Sequence, residues 1–403
     1  MTDRLALGDA HQVVLSDGPD GWTISPGHAD GSPCAPGGGA AEALISVVRM
    51  AGDLDDRWQV LRLAAVPDVS GEEPIGVDQT NTSVVVGQRV VVKWMHAVQD
   101  EPQPSLAALA QLSAVRFDQM PAAYAVLTWT SPTGRALPVA YVSEHLAGAV
   151  DGWTWCVQLV RALAAGDRSD PWSADFPARL GRLTAELHVA LTTPNHVFPH
   201  PVQLAGPGRA QRWYDGAYAM LEAALQVSDE ESVRVVSQRA TAIAACFDAC
   251  LGDDAAIART PVQHIHGDLH VGQVLRAGEQ LSVIDFDGNP IAPSHGVVQP
   301  AARDVAQLAR SLDHVGHVVL RRHPGADPDV VAEWMAVARE DFLAAYRGAL
   351  QDHAMSSLLD ERLLPAFEVE QELRELVYAD RHLPEWAYAP QAALSDLLKP
   401  EGG

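Results

Sequence analysis

Lysine is nearly missing from this chain. Of 28 basic residues only Lys93 and Lys399 are lysine, leaving 28 − 2 = 26 arginines, so a lysine kept at position 93 asks for a chemical reason. A compact ammonium on a slim stem reaches phosphate oxygens from within a strand, where a broad planar guanidinium does not fit. Lys399, in the terminal DLLKPEGG, reads as a solvated tail residue. Positive charge as a whole is scarce, with a net charge of −24 at pH 7. That argues against nucleic acid as a partner and is compatible with a cationic small molecule, although an acidic, well-solvated surface accounts for most of it. No uninterrupted apolar stretch approaches a membrane span, and the start, MTDRLALGDAHQ, has no basic region leading into an apolar core, so neither membrane insertion nor a secretory signal is expected. Cysteine is limited to Cys34, Cys156, Cys246 and Cys250, which follow no framework spacing. A reduced cytoplasm fits that usage. No internal repeat is visible, and residues 26–39 are the one Gly/Pro-rich tract.

What is present centres on residues 264–290, HIHGDLHVGQVLRAGEQLSVIDFDGNP. Residues 262–265 alternate toward a short strand, Gly267 permits a tight turn, and residues 281–284 form a second apolar run after a turn at Gly278. Asp268 and Gln273 therefore sit in a polar loop, and Asp285 ends the second strand. Phosphoryl transfer to an alcohol needs such a set: one carboxylate to orient the hydroxyl and accept its proton, and a carboxylate with a neutral oxygen ligand for magnesium. His264, His266 and His270 could instead make the zinc cluster of a hydrolase, but that leaves Gln273 and Asp285 without a role. His266 alone is expected to bond a nearby backbone group.

H-G-D-x-H-x-G-Q followed by I-D-F-D-G resembles the catalytic and metal loops of the aminoglycoside-phosphotransferase-like kinases, and within them the group that joins bacterial maltokinases with their glucosamine kinase relatives. The resemblance implies an α+β, bilobal protein-kinase-like fold. It would have an N-terminal cap (1–60), a β-rich nucleotide-binding lobe ending in the hinge (61–146) and a mostly helical lobe with the catalytic loop and sugar site (147–403). It also implies ATP and Mg2+, with Asp268 as catalytic aspartate and Gln273 and Asp285 as metal ligands.

Residues 12–15 and 22–25 are strand-like and residues 40–50 helix-like, the parts of the expected cap. Residues 83–86 and 89–94 flank Gly87-Gln88, a hairpin for which glycine at the first loop position suits a type II′ turn. Lys93 lies near its end. Upstream, Gln79-Thr80-Asn81-Thr82-Ser83 stands where a phosphate-covering loop would, similar to the maltokinase Q-S-N-T-S segment. Having no G-x-G-x-x-G, it would use backbone amides with the hydroxyls of Thr80, Thr82 and Ser83. Residues 105–115 have helical spacing but no acidic residue, so Asp100, Glu101 or a group from elsewhere is expected to pair with Lys93. Residues 124–130 and 137–142 form another hairpin running into a hinge, where the backbone of Glu144 and Leu146 would meet adenine.

Beyond Trp153 the pattern is helical. Ser228 and Glu231 read as a capping box, and residues 302–315 open with Arg303-Asp304, with Asp304 a brace for the catalytic loop and Asp313 nearer the substrate. In FEVEQELRELVYADRHLPEWAYAP, residues 367–390, Val369, Leu373, Leu376 and Val377 mark a buried face. Glu372, Glu375, Tyr378, Arg381 and His382 share much of another, which periodicity alone reads as a solvated helix face. Glu375, Tyr378, Pro384 and Trp386 match the sugar-side segment of the maltokinases, while R-E-x-x-Y-A-x-R-H-L-P is more like the glucosamine kinases. The resemblance thus implies an ATP-dependent glucosamine kinase, with Trp386 against the sugar. A maltokinase is the alternative in substrate, and a nucleotide-binding pseudokinase scaffold the alternative in class.

Overall fold

A computed structural model describes residues 2–18, 21–50, 54–75, 81–288 and 298–398; Thr80, Lys399 and the end of the central stretch, Asn289-Pro290, lie outside them. The chain forms two compact units, Met1–Ala149 with Ala277–Ile284, and Val150–Arg276 with Asp285–Gly403.

The first unit opens with an antiparallel sheet in the order Thr2–Leu7, His11–Gly18, Gly21–His28 and Ala97–Val98. The first of these strands escaped the sequence reading, although Leu5 and Leu7 alternate inward as a half-buried strand requires. Helix Ala40–Met50 lays Ala41, Leu44, Ile45 and Val48 into the core, as its spacing predicts. A second sheet has the order Trp58–Arg62, Ala123–Thr130, Ala136–Glu144, Val90–Met95, Asn81–Val86 and Glu72–Pro74.

The boundary expected near residue 60 does not separate two cores. Leu7, Leu15, Ile24 and Leu44 of the cap share one apolar cluster with Trp58, Val92, Trp94, Leu127 and Trp129. Trp22 and Trp129 meet at 4.6 Å. A cap of some sixty residues buries a smaller share of its surface than a larger domain does, and sharing a core adds to that burial. The expected 147–403 block is likewise interrupted, because Ala277–Ile284 belongs with the first unit, where the Val283 N–H donates to the Gln119 carbonyl at 2.8 Å.

Turn chemistry differs from expectation at residues 86–90. Gly87 and Gln88 both adopt positive φ, 58° and 55°, so the hairpin closes with a type I′ rather than a type II′ turn. Gln88 is held in this unfavourable region by its side-chain amide, which donates to Glu73 at 2.6 Å.

The second unit is helical. Helices Phe176–Leu191 and Pro328–Asp352 pack closely, and helix Ala302–Arg322 contacts both Leu364–His382 and Pro328–Asp352. Helix Glu230–Leu251 is capped by Asp229, whose side chain accepts from Ser232 N–H, and not by Ser228. Ser228 instead donates to Asp380. No helix among the described residues is long and apolar enough to cross a membrane.

Gly181 sets the approach of the first two helices. A Cβ there would collide with the Phe342 carbonyl and lie 3.0 Å from the Tyr346 nitrogen. Gly181→Ala is expected to destabilise the protein by about 1–3 kcal/mol, the range for overpacking a tight core. Chemical denaturation of both forms measures it, and an unchanged midpoint would contradict the close approach.

Candidate active site

The catalytic loop follows strand Pro261–His264 and passes through Gly267, whose φ of +85° a side chain would strain. Helix Ala302–Arg322 holds this loop along its length. The Asp304 carboxylate, fully buried, accepts from the N–H groups of His266 at 2.8 Å and Gly267 at 2.9 Å. Gln307 Nε2 donates to Asp268 Oδ1 at 2.7 Å, and Ser311 Oγ accepts from the Val271 N–H at 3.1 Å. Positions 304, 307, 311 and 314 recur on one helical face, and all four are buried. A polar stripe thus faces the loop, one residue after another.

Asp304 is itself braced. His188 Nε2 lies 3.1 Å from its Oδ2, while His188 Nδ1 lies 2.7 Å from the Tyr346 hydroxyl. These partners come from the two helices that Gly181 lets close. Burial alone would raise the Asp304 pKa, but the hydrogen bond and charge of His188, the charge of His266 and the Gly267 N–H outweigh it and leave the carboxyl below its ordinary value.

The two loop histidines are occupied locally. His266 Nδ1 accepts from the Asp268 N–H at 3.3 Å, the backbone bond expected of it, and His270 Nδ1 accepts from the Gly272 N–H at 3.0 Å. Each bond places the ring proton on Nε2, so neither ring offers a free lone pair to a metal. His264 stacks on Phe198 at 4.2 Å. The zinc-cluster alternative has no geometric support here.

Asp285 opens the D-F-D-G segment with φ +65° and is exposed, while Gln273 is half-buried. Burial lowers the His270 pKa, and the charges of Asp268 and Asp285 oppose it, which puts both carboxylates within electrostatic reach of one ring.

The opposite wall comes from helix Leu364–His382 and the turn Pro384–Trp386. Glu375 Oε1 accepts from Gln371 Nε2 and its Oε2 from Trp386 Nε1, each at 3.0 Å. Burial raises the Glu375 pKa, opposed by the charge of His314 and the Trp386 bond, with Asp268 among the charges that raise it further. Burial also raises Tyr378, with Glu375 and Asp268 adding to it. Asp268, Glu375, Tyr378 and Trp386 are therefore brought together. Trp386 meets Trp153 edge-on at 5.3 Å and His314 at 5.4 Å. Asp313 pairs with Arg310 and is pushed up to about 6, chiefly by burial. Arg381 and His382 are exposed at the helix end, His382 beside the Tyr378 ring at 5.1 Å.

Glu372 departs from its expected place on the sugar side. It has no exposed surface, and its Oε2 lies 2.8 Å from His314 Nε2 while Oε1 has no partner. Burial drives its pKa well up, as it drives that of His314 down. The two form a buried pair behind the wall, each pushed by burial away from its charged form. Its inward turn follows from the buried polar stripe on the facing helix, which periodicity within a single segment does not reveal.

Trp153, Gln307 and His314 are the site residues missed from sequence. The i, i+3, i+7, i+10 recurrence from Asp304 was the available signal for the latter two.

In the first unit, Lys93 is half-buried in strand Val90–Met95, in register with Ser83 on one side and Tyr141 on the other. The Tyr141 hydroxyl shares a hydrogen bond of 2.7 Å with Ser105 on helix Pro104–Ala114, which therefore covers the Lys93 face of the sheet. Asp100, one expected partner of Lys93, accepts from Thr133 Oγ1 at 2.8 Å, Ser131 Oγ at 3.0 Å and Arg135, and so serves the hairpin turn. Strand Ala136–Glu144 ends where Glu144 N–H donates to the Ala122 carbonyl, and the Leu146 carbonyl accepts from the Ala149 N–H.

An antiparallel β-rich unit, a helical unit carrying a braced H-G-D loop, and a D-F-D-G loop define a phosphotransferase of the protein-kinase-like fold that acts on an alcohol group. Comparison with known proteins narrows the class. The chain is 38% identical over 407 residues to a glucosamine kinase of Streptacidiphilus jiangxiensis, covering 98% of this chain and 90% of that one. It is 37% identical over 401 residues to a glucosamine kinase of Mycolicibacterium smegmatis, covering 98% of each. A solved glucosamine kinase in complex with glucosamine, ADP and inorganic phosphate superimposes with a TM-score of 0.82 at 35% identity, covering 98% of this chain and 93% of that one. No family model matches. The chain belongs to the glucosamine kinase family.

Asp304→Asn places an N–H where the carboxylate accepted one, at a cost of about 1–3 kcal/mol for the buried mismatch. Because the folded carboxyl lies below its unfolded value, its contribution is complete above the unfolded pKa of about 4 and fades as pH falls through the folded one. The stability gap between the two proteins is expected to be constant near neutrality and to shrink below about pH 4. Denaturation midpoints across pH measure it, and a gap that widens on acidification would remove Asp304 from this role.

Proposed function

We propose that this chain transfers the γ-phosphoryl group of ATP to the 6-hydroxyl of D-glucosamine. Glu375 carries the reading: it lies within electrostatic reach of Asp268, and both of its oxygens are met by neutral donors rather than by a cation. An aminosugar ammonium supplies the missing countercharge, in a charge-assisted bond roughly twice as strong as a neutral one. Asp313 is a further carboxylate for it, and Glu372, turned inward, is not. Trp386 would pack on the apolar face of the pyranose, with Tyr378, Arg381 and His382 bordering the ring. The relative solved with glucosamine and ADP adds to the case. The primary hydroxyl is the least hindered and the farthest from the anchored amine.

Asp268 orients that hydroxyl and accepts its proton as the oxygen attacks phosphorus, while Gln307 keeps the carboxylate in one rotamer. Lys93 would reach the α- and β-phosphates, the hydroxyls of Ser83 and Thr80 would assist, and the backbone at Glu144 and Leu146 would receive adenine. Gln273 and Asp285 offer oxygen donors only, one of them an exposed carboxylate, which suits magnesium. Bound there, the metal would neutralise charge on the phosphates.

Asp268→Asn is expected to lower kcat by about 10²-fold or more with ATP affinity nearly unchanged, as read by ADP release and nucleotide titration. Near-normal turnover would remove Asp268 from the chemistry. Against glucosamine, glucose should be poorer by roughly 5- to 150-fold in kcat/KM, since covering the half-buried Glu375 without a countercharge costs about 1–3 kcal/mol. Assaying glucosamine, glucose, N-acetylglucosamine and maltose at equal concentration tests the acceptor. Maltose turned over best would make this a maltokinase, and harmless N-acetylation would refute the ammonium contact.

A further inference from the structure

The first unit holds a cluster that the phosphotransfer reading does not use. His11 begins strand His11–Gly18, His28 ends strand Gly21–His28, and the two are directly paired across the hairpin. Their rings therefore leave the same face, with centroids 5.2 Å apart. The chain then turns through residues 29–33 and comes back, with the Cys34 N–H donating to the Pro26 carbonyl at 3.2 Å. This return brings the thiol to the rings: one ligand atom from each of His11, His28 and Cys34 lies within 4.8 Å of the others. No other such group of three occurs among the described residues.

We propose that His11, His28 and Cys34 bind one borderline-soft divalent cation, zinc above all, with water in the fourth position. Two nitrogens and a thiolate are a donor set for zinc or cobalt and not for magnesium, so the site is chemically distinct from any metal on the phosphates. Neighbouring donors around tetrahedral zinc stand about 3.3–3.6 Å apart, given Zn–N of about 2.0–2.1 Å and Zn–S of about 2.3 Å. Closing from the observed separation takes a movement of about 1–1.5 Å, within the reach of three half-exposed side chains.

Three further features fit a built site. His11 Nε2 lies 2.9 Å from the Gly38 carbonyl, and a ring that donates from Nε2 presents its Nδ1 lone pair, the second contact typical of a metal-bound histidine. Glycines make the room. A Cβ on Gly39, at φ +99°, would lie 2.8 Å from His11 Cε1, and one on Gly38 would lie 2.7 Å from Cys34 Sγ. The nearby carboxylates are otherwise employed: Asp30 accepts from the Ser32 N–H and hydroxyl, and Glu72 from the Gly39 and Glu42 N–H groups. They offset the cation's charge without ligating it. Burial, and after it the Glu72 charge, raises the Cys34 thiol, with the Ala40 N–H opposing, so the cation displaces a proton on binding. The ion would pin the Gly/Pro-rich segment to the hairpin, Glu72 already holding its far end.

The test uses the full chain, stripped by chelator and titrated with cobalt and then zinc. One equivalent of cobalt should give a thiolate-to-cobalt charge-transfer band and tetrahedral d–d bands, both displaced by zinc. The melting temperature should rise by about 3 °C at a hundredfold excess of zinc over Kd. Cys34→Ser should abolish the charge-transfer band, and His28→Gln should weaken binding by about 10-fold or more. Cys246→Ser, one turn from Cys250 on helix Glu230–Leu251 and outside the cluster, should change neither. Absence of the band in the unaltered protein overturns the proposal, as does a band that survives Cys34→Ser and disappears with Cys246→Ser. None of these readouts depends on sugar or ATP, so their failure leaves the kinase reading intact, and the converse holds.

Discussion

The catalytic unit depends on one buried negative charge. A carboxylate removed from water is tolerable only if its oxygens are hydrogen-bonded, and Asp304 meets the condition by taking two consecutive N–H groups of the catalytic loop and one edge of His188. The same bonds that satisfy the charge fix the backbone at His266 and Gly267, and so aim Asp268. Stability and chemistry are thereby tied together. His188 is oriented by Tyr346, and both stand on helices brought close by Gly181, so the aim of one side chain rests on the separation of two helix axes.

Helix Leu364–His382 manages its acidic residues differently. Glu368 pairs with Arg339, Glu370 with Arg303 and Arg374, and Glu372, its carboxyl pushed up by burial, bonds His314. Glu375 alone of the four is met only by neutral donors. Among the helix's glutamates Glu375 is thus the one met by no cation, and under the proposed function it is a more selective device for a cationic acceptor than a diffuse negative surface, whose field salt screens.

Much of this was legible in the chain because the chemistry is local. The loop carrying Asp268 and Gln273, and the one beginning at Asp285, are contiguous patterns. Helix 40–50 announces itself by spacing, the helix expected over 302–315 runs on to Arg322, and the role expected of Asp304 is the one its bonds perform. What stayed hidden depends on residues distant in sequence. His188 and Tyr346 meet across 158 positions, and Asp304 meets His188 across 116. Glu372 is drawn inward by a histidine on another helix. Gln88 adopts a left-handed backbone because Glu73, on another strand, holds its side chain. A residue's own type and its near neighbours do not carry that information.

The division of the chain has a consequence for how the protein can be made and inherited. The first unit is completed by Ala277–Ile284, a segment enclosed on both sides by sequence of the second. On the ribosome, the first unit gains its last segment only after about half of the helical unit, Val150–Arg276, has been synthesised. A truncation after residue 149 keeps every strand of the two sheets but loses this segment and the bond from the Val283 N–H to the Gln119 carbonyl. Recombination with one crossover therefore cannot exchange either unit whole.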